Sequence, residues 1–341
     1  MKLLFFITKP YSVPILNPIE SYCNTIEQME VAWFKADSAK SLVLKGRILE
    51  TTADVIEFDP DAVIVPGNVV PDFWPGIKVQ IFHGLCEEKK GHYDITGFFD
   101  LYCTPGPQMT EKFMYLRKQY NTFLVRETGW PKLDLLFPIP NVEELKITLG
   151  LNPDKKFILY APTFSPKYTS ADYLFGSIQE SQFLGHEWVV KFHDLEKNST
   201  IERYRTLNSN LFKIIENKDI LPWMTAADLL ITDTSSVAYE FLLLDRPVIT
   251  YQASARFEKG IDITEPEHLI GAITRSIEDP GEYTESRKDV LSDIHPYSDG
   301  QSSQRLISTI SNVLQSDELD RLQPKPRNWI RKKQIRKILN L

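Results

Sequence analysis

Five polar residues in a row, Thr232-Asp233-Thr234-Ser235-Ser236, separate the apolar run Leu229-Leu230-Ile231 from a second one, Val237 to Leu244. A strand that ends in hydroxyls and runs into a helix suits anion binding. The first amides of a helix lack partners and carry partial positive charge. Together with the hydroxyls of Thr234, Ser235 and Ser236 they would hold a phosphate or diphosphate without a metal. The alternative is that Asp233, Thr234 or Ser235 merely caps the helix. A cap needs one such residue, and here there are five. Val189-Val190-Lys191-Phe192-His193-Asp194 ends another apolar stretch in cationic groups. Pleat alternation puts Lys191 and His193 on one side, where both would face an anion, and a lysine within a buried strand needs an anionic partner. Thr163, in Tyr160-Ala161-Pro162-Thr163-Phe164, offers a hydroxyl and loop amides, or is only part of a proline turn.

His83 follows a third apolar stretch, in QIFHGLCEEKKGHY. A neutral imidazole at a strand end would take a proton from an alcohol; the alternative is a half-buried histidine bonded to its own loop. Gly84 permits a sharp turn there. Lys89, Lys90 and His92 would hold an anionic substrate or be solvated. Arg305, behind the Asp299-Gly300 turn, would close over a phosphate or sit on a capped surface helix. Trp223 would stack on a base or pack in a core.

The elements that must position these groups are short apolar strands, each followed by a polar loop. Lys2–Thr8, Asp61–Pro66, Lys78–Phe82 and Leu101–Cys103 predict a first doubly wound α/β domain. A helix is expected over Asn17–Phe34, with VAWF as a strand at its end, and another over Gln108–Gln119. The prolines of Phe137-Pro138-Ile139-Pro140 suit a linker. Strands at 157–160, 187–192, 212–215, 229–231 and 248–251 predict a second α/β set, with helices over 141–150, 269–277 and 304–319. In open α/β sheets the carboxyl edge binds ligands.

The 341 residues suffice for two domains. No apolar run reaches the 18 or so residues that cross a bilayer, and MKLLFFITKP reads as a buried strand rather than a signal peptide. Cys23, Cys86 and Cys103 show no metal spacing and suit free thiols in a reducing cytoplasm. The net charge is −7, yet residues 321–341 hold eight Lys or Arg and no acid, leaving −15 on residues 1–320. An acidic body argues against nucleic acid as a partner. GxSxG, GxxxxGK[ST], HExxH and glycine-rich dinucleotide patterns are missing. On a helical wheel counted from Trp329, Ile330, Ile335, Ile338, Leu339 and Leu341 span about 100–280°, with Lys332, Lys333, Arg336 and Lys337 opposite. Such a tail packs its apolar side on the acidic body or lies on an anionic membrane.

Taken together, HG at 83–84, TGWPKLD at 128–134, YAPTF at 160–164, KFH at 191–193 and ITDTSSVAYEFLLLDRPVITY at 231–251 resemble the CDP-glycerol glycerophosphotransferase family. These are primases and polymerases of teichoic-acid and capsule polymers. The resemblance implies a GT-B-like fold, two doubly wound Rossmann-like domains facing a cleft. It implies an acceptor-side domain over 1–138, a nucleotide-donor domain over 139–305, and C-terminal helices with the basic tail over 306–341. An acceptor hydroxyl, on a cell-surface glycan or its lipid-linked precursor, would attack the β-phosphorus of a CDP-activated polyol donor, and CMP would leave. His83 would be the base. Thr163, Lys191, His193, Asp233, Thr234, Ser235, Ser236 and Arg305 would hold the donor. No metal or other cofactor is expected, because side chains and a helix end supply the charge. The expected setting is the cytoplasm, with the tail suited to the inner face of the membrane. The family's usual His-Gly-Thr-Pro is His83-Gly84-Leu85-Cys86 here, and Lys132 replaces its usual arginine. The alternatives are a glycosyltransferase using a sugar nucleotide and a non-catalytic GT-B-like binding protein.

Overall fold

The computed structural model describes residues 1–85, 92–193, 195–216 and 219–339. Cys86, Glu87, Glu88, Lys89, Lys90, Asp194 and Leu341, which figure in the expectations above, lie outside these residues. The chain forms two compact units, Met1–Phe137 with Asp293–Leu341, and Pro138–Ser292.

The first unit holds strands β1 Lys2–Ile7, β2 Glu30–Lys35, β3 Arg47–Leu49, β4 Ala62–Val65, β5 Ile77–Gln80, β6 Leu101–Thr104 and β7 Leu124–Glu127. They lie in the order 3-2-1-4-5-6-7, all parallel. Helices α1 Val13–Cys23, α2 Thr52–Phe58 and α3 Pro107–Tyr120 accompany them. Strands such as KLLFFI are apolar on both sides, as a sheet covered on both faces requires. Leu4, Phe6, Val63, Val65 and Tyr102 reach one core cluster, while their alternating neighbours are buried on the other face. Carboxylates set the strand starts: Asp61 accepts from the Lys2 amide at 2.6 Å and Asp100 from the Lys78 amide at 2.7 Å. α1 starts four residues before the expected Asn17. Pro14 is tolerated in its first turn, where no amide is needed, and the buried Ile15, Leu16 and Ile19 offset the cost of Pro18 inside the helix.

The second unit holds β8 Phe157–Tyr160, β9 Glu187–Val190, β10 Phe212–Ile214, β11 Leu229–Thr232, β12 Val248–Tyr251 and β13 Ile261–Ile263, in the parallel order 10-9-8-11-12-13. Its helices are α4 Val142–Thr148, α5 Ala171–Ser181, α6 Asn198–Arg205, α7 Leu221–Ala226, α8 Val237–Leu242 and α9 Leu269–Glu278. Ile158, Tyr160, Trp188, Val190, Leu229 and Ile231 join one buried cluster. Trp223 is half-buried and meets Phe157 edge-on at 6.4 Å, which is packing rather than a base-stacking platform.

After α10, Thr284–Ile294, the chain rejoins the first unit and forms α11 Ser302–Gln315 and α12 Trp329–Leu339. The units divide at Phe137/Pro138 and Ser292/Asp293, against an expected division at 138/139 and 305/306. The TGWPKLD stretch supplies the reason. Asp134 accepts from the amides of Ser302 (2.8 Å) and Ser303 (2.7 Å), closing the start of α11. The Trp130 amide donates to His295 Nε2 at 2.9 Å. Gly129 has φ +78°, and a Cβ there would collide with the Ser302 hydroxyl.

α12 packs Ile335, Ile338 and Leu339 on the first unit's core, and Ile335 is 1% exposed. Truncating Ile335 to alanine would cost about 2–5 kcal/mol. Lys325 pairs with Asp100 at 2.5 Å and Lys332 with Asp72 at 2.6 Å, while Arg331 donates to the Asn68 carbonyl. Ile330, expected on the packed stripe, instead stands 78% exposed beside Trp329 at 70%. Among the described residues no helix is long and apolar enough to cross a membrane. Cys23 and Cys103 are buried free thiols, and burial pushes Cys23 up to about 12, far from reactive.

Candidate functional site

In the second unit the sheet order reverses between β8 and β11, which run side by side with Tyr160 opposite Ile231. Strand order reverses at such a switch point, and the loops leaving it diverge and open a crevice at the carboxyl edge. The Thr163 loop leaves β8 there and the 232–236 segment leaves β11. Asp233, 1% exposed, ties them together. Its carboxylate accepts from the Thr163 amide at 2.9 and 3.2 Å, from the Ser170 amide at 2.9 Å and from the Ser170 hydroxyl at 2.9 Å. Tyr160 OH meets the same hydroxyl at 2.8 Å. Burial raises the Asp233 carboxyl to about 7, the lost hydration outweighing the donors from Thr163 and Ser170. Asp233 was expected to contact the donor. It points inward instead and brackets both ends of the loop 163–170.

The neighbouring hydroxyls divide the same way. Thr232 turns back to the Ala161 carbonyl at 2.6 Å. Thr234 accepts from the Ser254 amide at 3.1 Å, tying in the loop after β12. Ser235 and Ser236 are half-exposed at the mouth of α8. Capping does not explain them: no side-chain cap bond closes α8, and Ser235 Oγ meets the Val237 amide only at 3.5 Å. α8 has six residues, so its dipole is a smaller contribution than the sequence suggested, and hydroxyls and amides weigh more.

On the other side of β8, β9 ends at Val190. Lys191 and His193 thus stand in the loop beyond it, and the pleat argument for their orientation does not apply. The Lys191 amide still bonds the Tyr160 carbonyl at 2.9 Å. Its ammonium is half-exposed and donates to the Phe192 carbonyl at 2.7 Å. His193 is exposed, and its Nδ1 accepts from the Leu195 amide at 3.1 Å, which fixes the neutral ring's proton on Nε2. Phe164, from the bracketed loop, lies against the His193 ring at 4.2 Å. The order of loops along this edge is therefore Lys191 and His193, then Thr163, then Thr234–Ser236. The geometry offers amide, hydroxyl and cationic donors at one edge, suited to an anion such as a diphosphate.

In the first unit His83 lies three residues beyond β5. The left-handed residue at this turn is Phe82, with φ +61° and no exposure. A bulky residue in that region stores about 1–3 kcal/mol and is held there only by its surroundings. Those are Phe113 at 5.1 Å, Tyr102 at 6.2 Å and Trp130, whose indole donates to the Phe82 carbonyl at 3.3 Å. His83 is half-buried, with Tyr11 5.6 Å away and His92 4.7 Å away edge-to-face. His92, expected on a solvated or substrate-binding loop, is 3% exposed.

Arg305 belongs to the first unit. Its guanidinium grips Asp299 at 2.7 and 3.2 Å, donates to the Thr128 carbonyl at 3.0 Å and covers the Tyr297 ring at 4.0 Å. That pairing holds the Asp299 carboxyl below its usual range. The Asp-Gly turn thus receives the arginine itself. Sequence reasoning missed Ser170 and the roles of Phe82, His92 and Asp134. Only Asp134 carried a signal, three residues after Pro131 in a motif already noted. Among the described residues no group of three His, Cys, Asp or Glu could hold a metal ion.

A profile of the family described as "CDP-Glycerol:Poly(glycerophosphate) glycerophosphotransferase" matches residues 86–312, which take in the whole β8–β11 edge and begin just after His83. A teichoic acid glycerol-phosphate primase of Bacillus subtilis (strain 168) is 32% identical over 194 residues, 51% of this chain and 48% of that one. A teichoic acid poly(glycerol phosphate) polymerase of Bacillus spizizenii is 30% identical over 171 residues, 47% of this chain and 42% of that one. The chain spans about half the length of these relatives. The solved wall teichoic acid polymerase TagF superposes with a TM-score of 0.67 over 92% of this chain and 89% of that one, at 18% identity. This likeness shows the expected GT-B-like fold. With its profile covering well over half of the sequence, the chain belongs to the CDP-glycerol:poly(glycerophosphate) glycerophosphotransferase family.

Proposed function

We propose that this protein transfers glycerol phosphate, or a related polyol phosphate, from a CDP-linked donor to a hydroxyl of a cell-surface glycan or its lipid-linked precursor, releasing CMP. Family membership over the β8–β11 edge carries this reading. In it, Thr163, Lys191, His193, Thr234, Ser235 and Ser236 hold the diphosphate, with Asp233 positioning the loops rather than touching the donor. Cationic and hydroxyl donors aimed at a transferring phosphoryl group stabilise its developing charge. His83 takes the proton of the acceptor hydroxyl as its oxygen bonds to the β-phosphorus. The bond from that phosphorus to the bridging oxygen breaks, and CMP departs with the oxygen.

A donor screen tests the reading: CMP release from CDP-glycerol and CDP-ribitol against UDP release from UDP-sugars, each with a lipid-linked glycan acceptor. CMP release that depends on acceptor supports it. UDP release alone would replace it with a glycosyltransferase, and nucleotide binding without turnover would replace it with a binding protein.

The same reading places the protein at an anionic membrane surface. Counting 100° per residue, Trp329, Lys333, Lys337 and Ile330 fall within about 100° of one another on α12, and all four are exposed. Aromatic, aliphatic and cationic side chains on one face suit a headgroup layer. Because the opposite face is packed, deleting the tail would uncover the core. Trp329→Ser with Ile330→Ser tests the surface without that damage.

A further inference from the structure

The first unit has a switch point of its own. In the order 3-2-1-4-5-6-7 the chain builds from β1 out to β3, then crosses to β4 on the other side of β1. β1 and β4 run side by side, with Phe5 opposite Ile64, so the loops leaving their carboxyl ends diverge and open a crevice. The loop after β1 is tethered. The Ala36 amide donates to the Ile7 carbonyl at 2.9 Å, the Ser38 hydroxyl to the Thr8 carbonyl at 3.2 Å, and Lys9 pairs with Asp37 at 2.7 Å. Pro10 then starts the short turn Pro10–Ser12, in which Ser12 is buried and Tyr11 stands 50% exposed. The loop after β4 carries Gly67. A Cβ placed there would meet nothing within 4 Å, so the space beyond the end of β4 is open. β5 lies next along the sheet, and the Tyr11 ring meets His83 beyond its end at 5.6 Å, tilted by 36°. A single exposed aromatic is ordinary on a protein surface, as Tyr115 is on the flank of α3. Tyr11 differs by its place at the switch point. Among the described residues its hydroxyl has no hydrogen-bond partner. Partial burial raises the phenol, with Lys9 acting in the opposite direction, so the group is protonated and both donates and accepts.

We infer that the crevice between the β1 and β4 loops binds a sugar ring of the acceptor, with Tyr11 as the platform beneath it. This rests on the proposed transfer only in calling the ligand an acceptor. A pyranose has a face of C–H groups and a rim of hydroxyls. The Tyr11 ring offers an apolar plane for the face, and its phenol a donor and an acceptor for the rim. Two side-chain torsions on a tethered turn leave little freedom to lose on binding. The end of a glycerol phosphate chain has no flat apolar face, and its charge calls for cationic or amide partners rather than a phenol ring. The acceptor is therefore a glycan or lipid-linked precursor that ends in a sugar.

Binding is read first, without turnover. The full chain with ring-labelled tyrosine is followed by NMR, the Tyr11 signal being the one that Tyr11→Phe removes. Methyl pyranosides of glucose and N-acetylglucosamine should shift that signal saturably, and glycerol phosphate should not. Gly67→Leu, which fills the open space and leaves the Pro10–Ser12 turn intact, should abolish the shift. No shift from the pyranosides, an equal shift from glycerol phosphate, or a shift that survives Gly67→Leu overturns the inference. Turnover with a lipid-linked glycan gives a second reading. Tyr11→Phe, which loses only the hydroxyl, should raise the acceptor KM about 2- to 10-fold. Tyr11→Ala, which loses the platform as well, should raise it about 10- to 100-fold. CDP affinity by calorimetry should stay at its wild-type value in both, which also reports an intact fold. An unchanged acceptor KM in Tyr11→Ala refutes the platform. Wild-type protein that releases no CMP with any acceptor refutes the proposed transfer instead, and the tyrosine titration then judges the crevice by itself.

Discussion

The second unit ties both ends of one distant loop to a single carboxylate, while the first sets its histidine with aromatic walls and a strained backbone residue. Asp233 fixes Thr163 and Ser170, 63 or more residues away in sequence, by hydrogen bonds that any displacement would break. His83 is aimed by Phe82, whose left-handed conformation persists because Phe113, Tyr102 and the Trp130 indole surround it. Hydrogen bonds to a buried carboxylate are directional and few, so losing one is costly. Aromatic walls are many and shallow, so each loss is partial. The two modes suit the different tasks proposed for them. A diphosphate needs several donors at fixed spacing, whereas a base must find a hydroxyl on a bulky acceptor.

That contrast can be broken by mutation. The largest effect expected is on turnover in His83→Ala, a fall of about 10²–10⁴-fold with CDP affinity intact; steady-state CMP release beside calorimetric CDP binding checks it. Next is Asp233→Ala, which orphans the Thr163 and Ser170 donors. Leaving buried donors unpaired costs about 1–3 kcal/mol each, so CDP affinity should fall by roughly 100-fold or more, with a lowered melting temperature. Undisturbed binding would mean that the bracket is not what shapes the site. Ser235→Ala and His193→Ala each remove one donor, worth about 1.5–3 kcal/mol to a charged partner, and should weaken CDP roughly ten- to a hundredfold. Equal binding in both would remove them from the donor site.

The smallest effect is a slope. Asp233 is raised to about 7 from an ordinary 3.8. The folded state therefore binds more protons than the unfolded state between those values, and stability falls as pH rises through that window. The slope contributed is at most ~1.4 kcal/mol per pH unit. Urea unfolding of wild type and Asp233→Asn between pH 5 and 8 measures it, and parallel curves would show that Asp233 titrates elsewhere.

The strands were legible because runs such as Leu229-Leu230-Ile231 and Val248–Tyr251 are apolar, short and bounded by polar or proline turns. β7, Leu124–Glu127, was missed because Arg126 and Glu127 break its apolar run; Arg126 reaches Glu318 and Glu127 reaches Tyr297. The hydroxyl-rich edge was legible as well. What was not legible is which way each polar side chain turns. Asp233 and Ser235 look alike in sequence, yet one is buried and the other half-exposed, and only the Ser170 loop decides it. Nothing local in the sequence shows that Asp299 and Tyr297 turn toward Arg305. The burial of His92 had no signal, since its placement against Phe82 and His83 is set by the fold.

The return of residues 293–339 to the first unit has a consequence for biosynthesis. Residues 138–292 complete the second unit's sheet before α11 and α12 have been translated. The first unit, begun earlier, lacks Ile335 and the α11 start on Asp134 until then. At 5–20 residues per second, the roughly 200 residues between β7 and Ile335 take about 10–40 s. During that interval the nascent sheet presents the apolar surface that α12 will cover, so the segment translated first is the one finished last, and chaperone engagement would concentrate there.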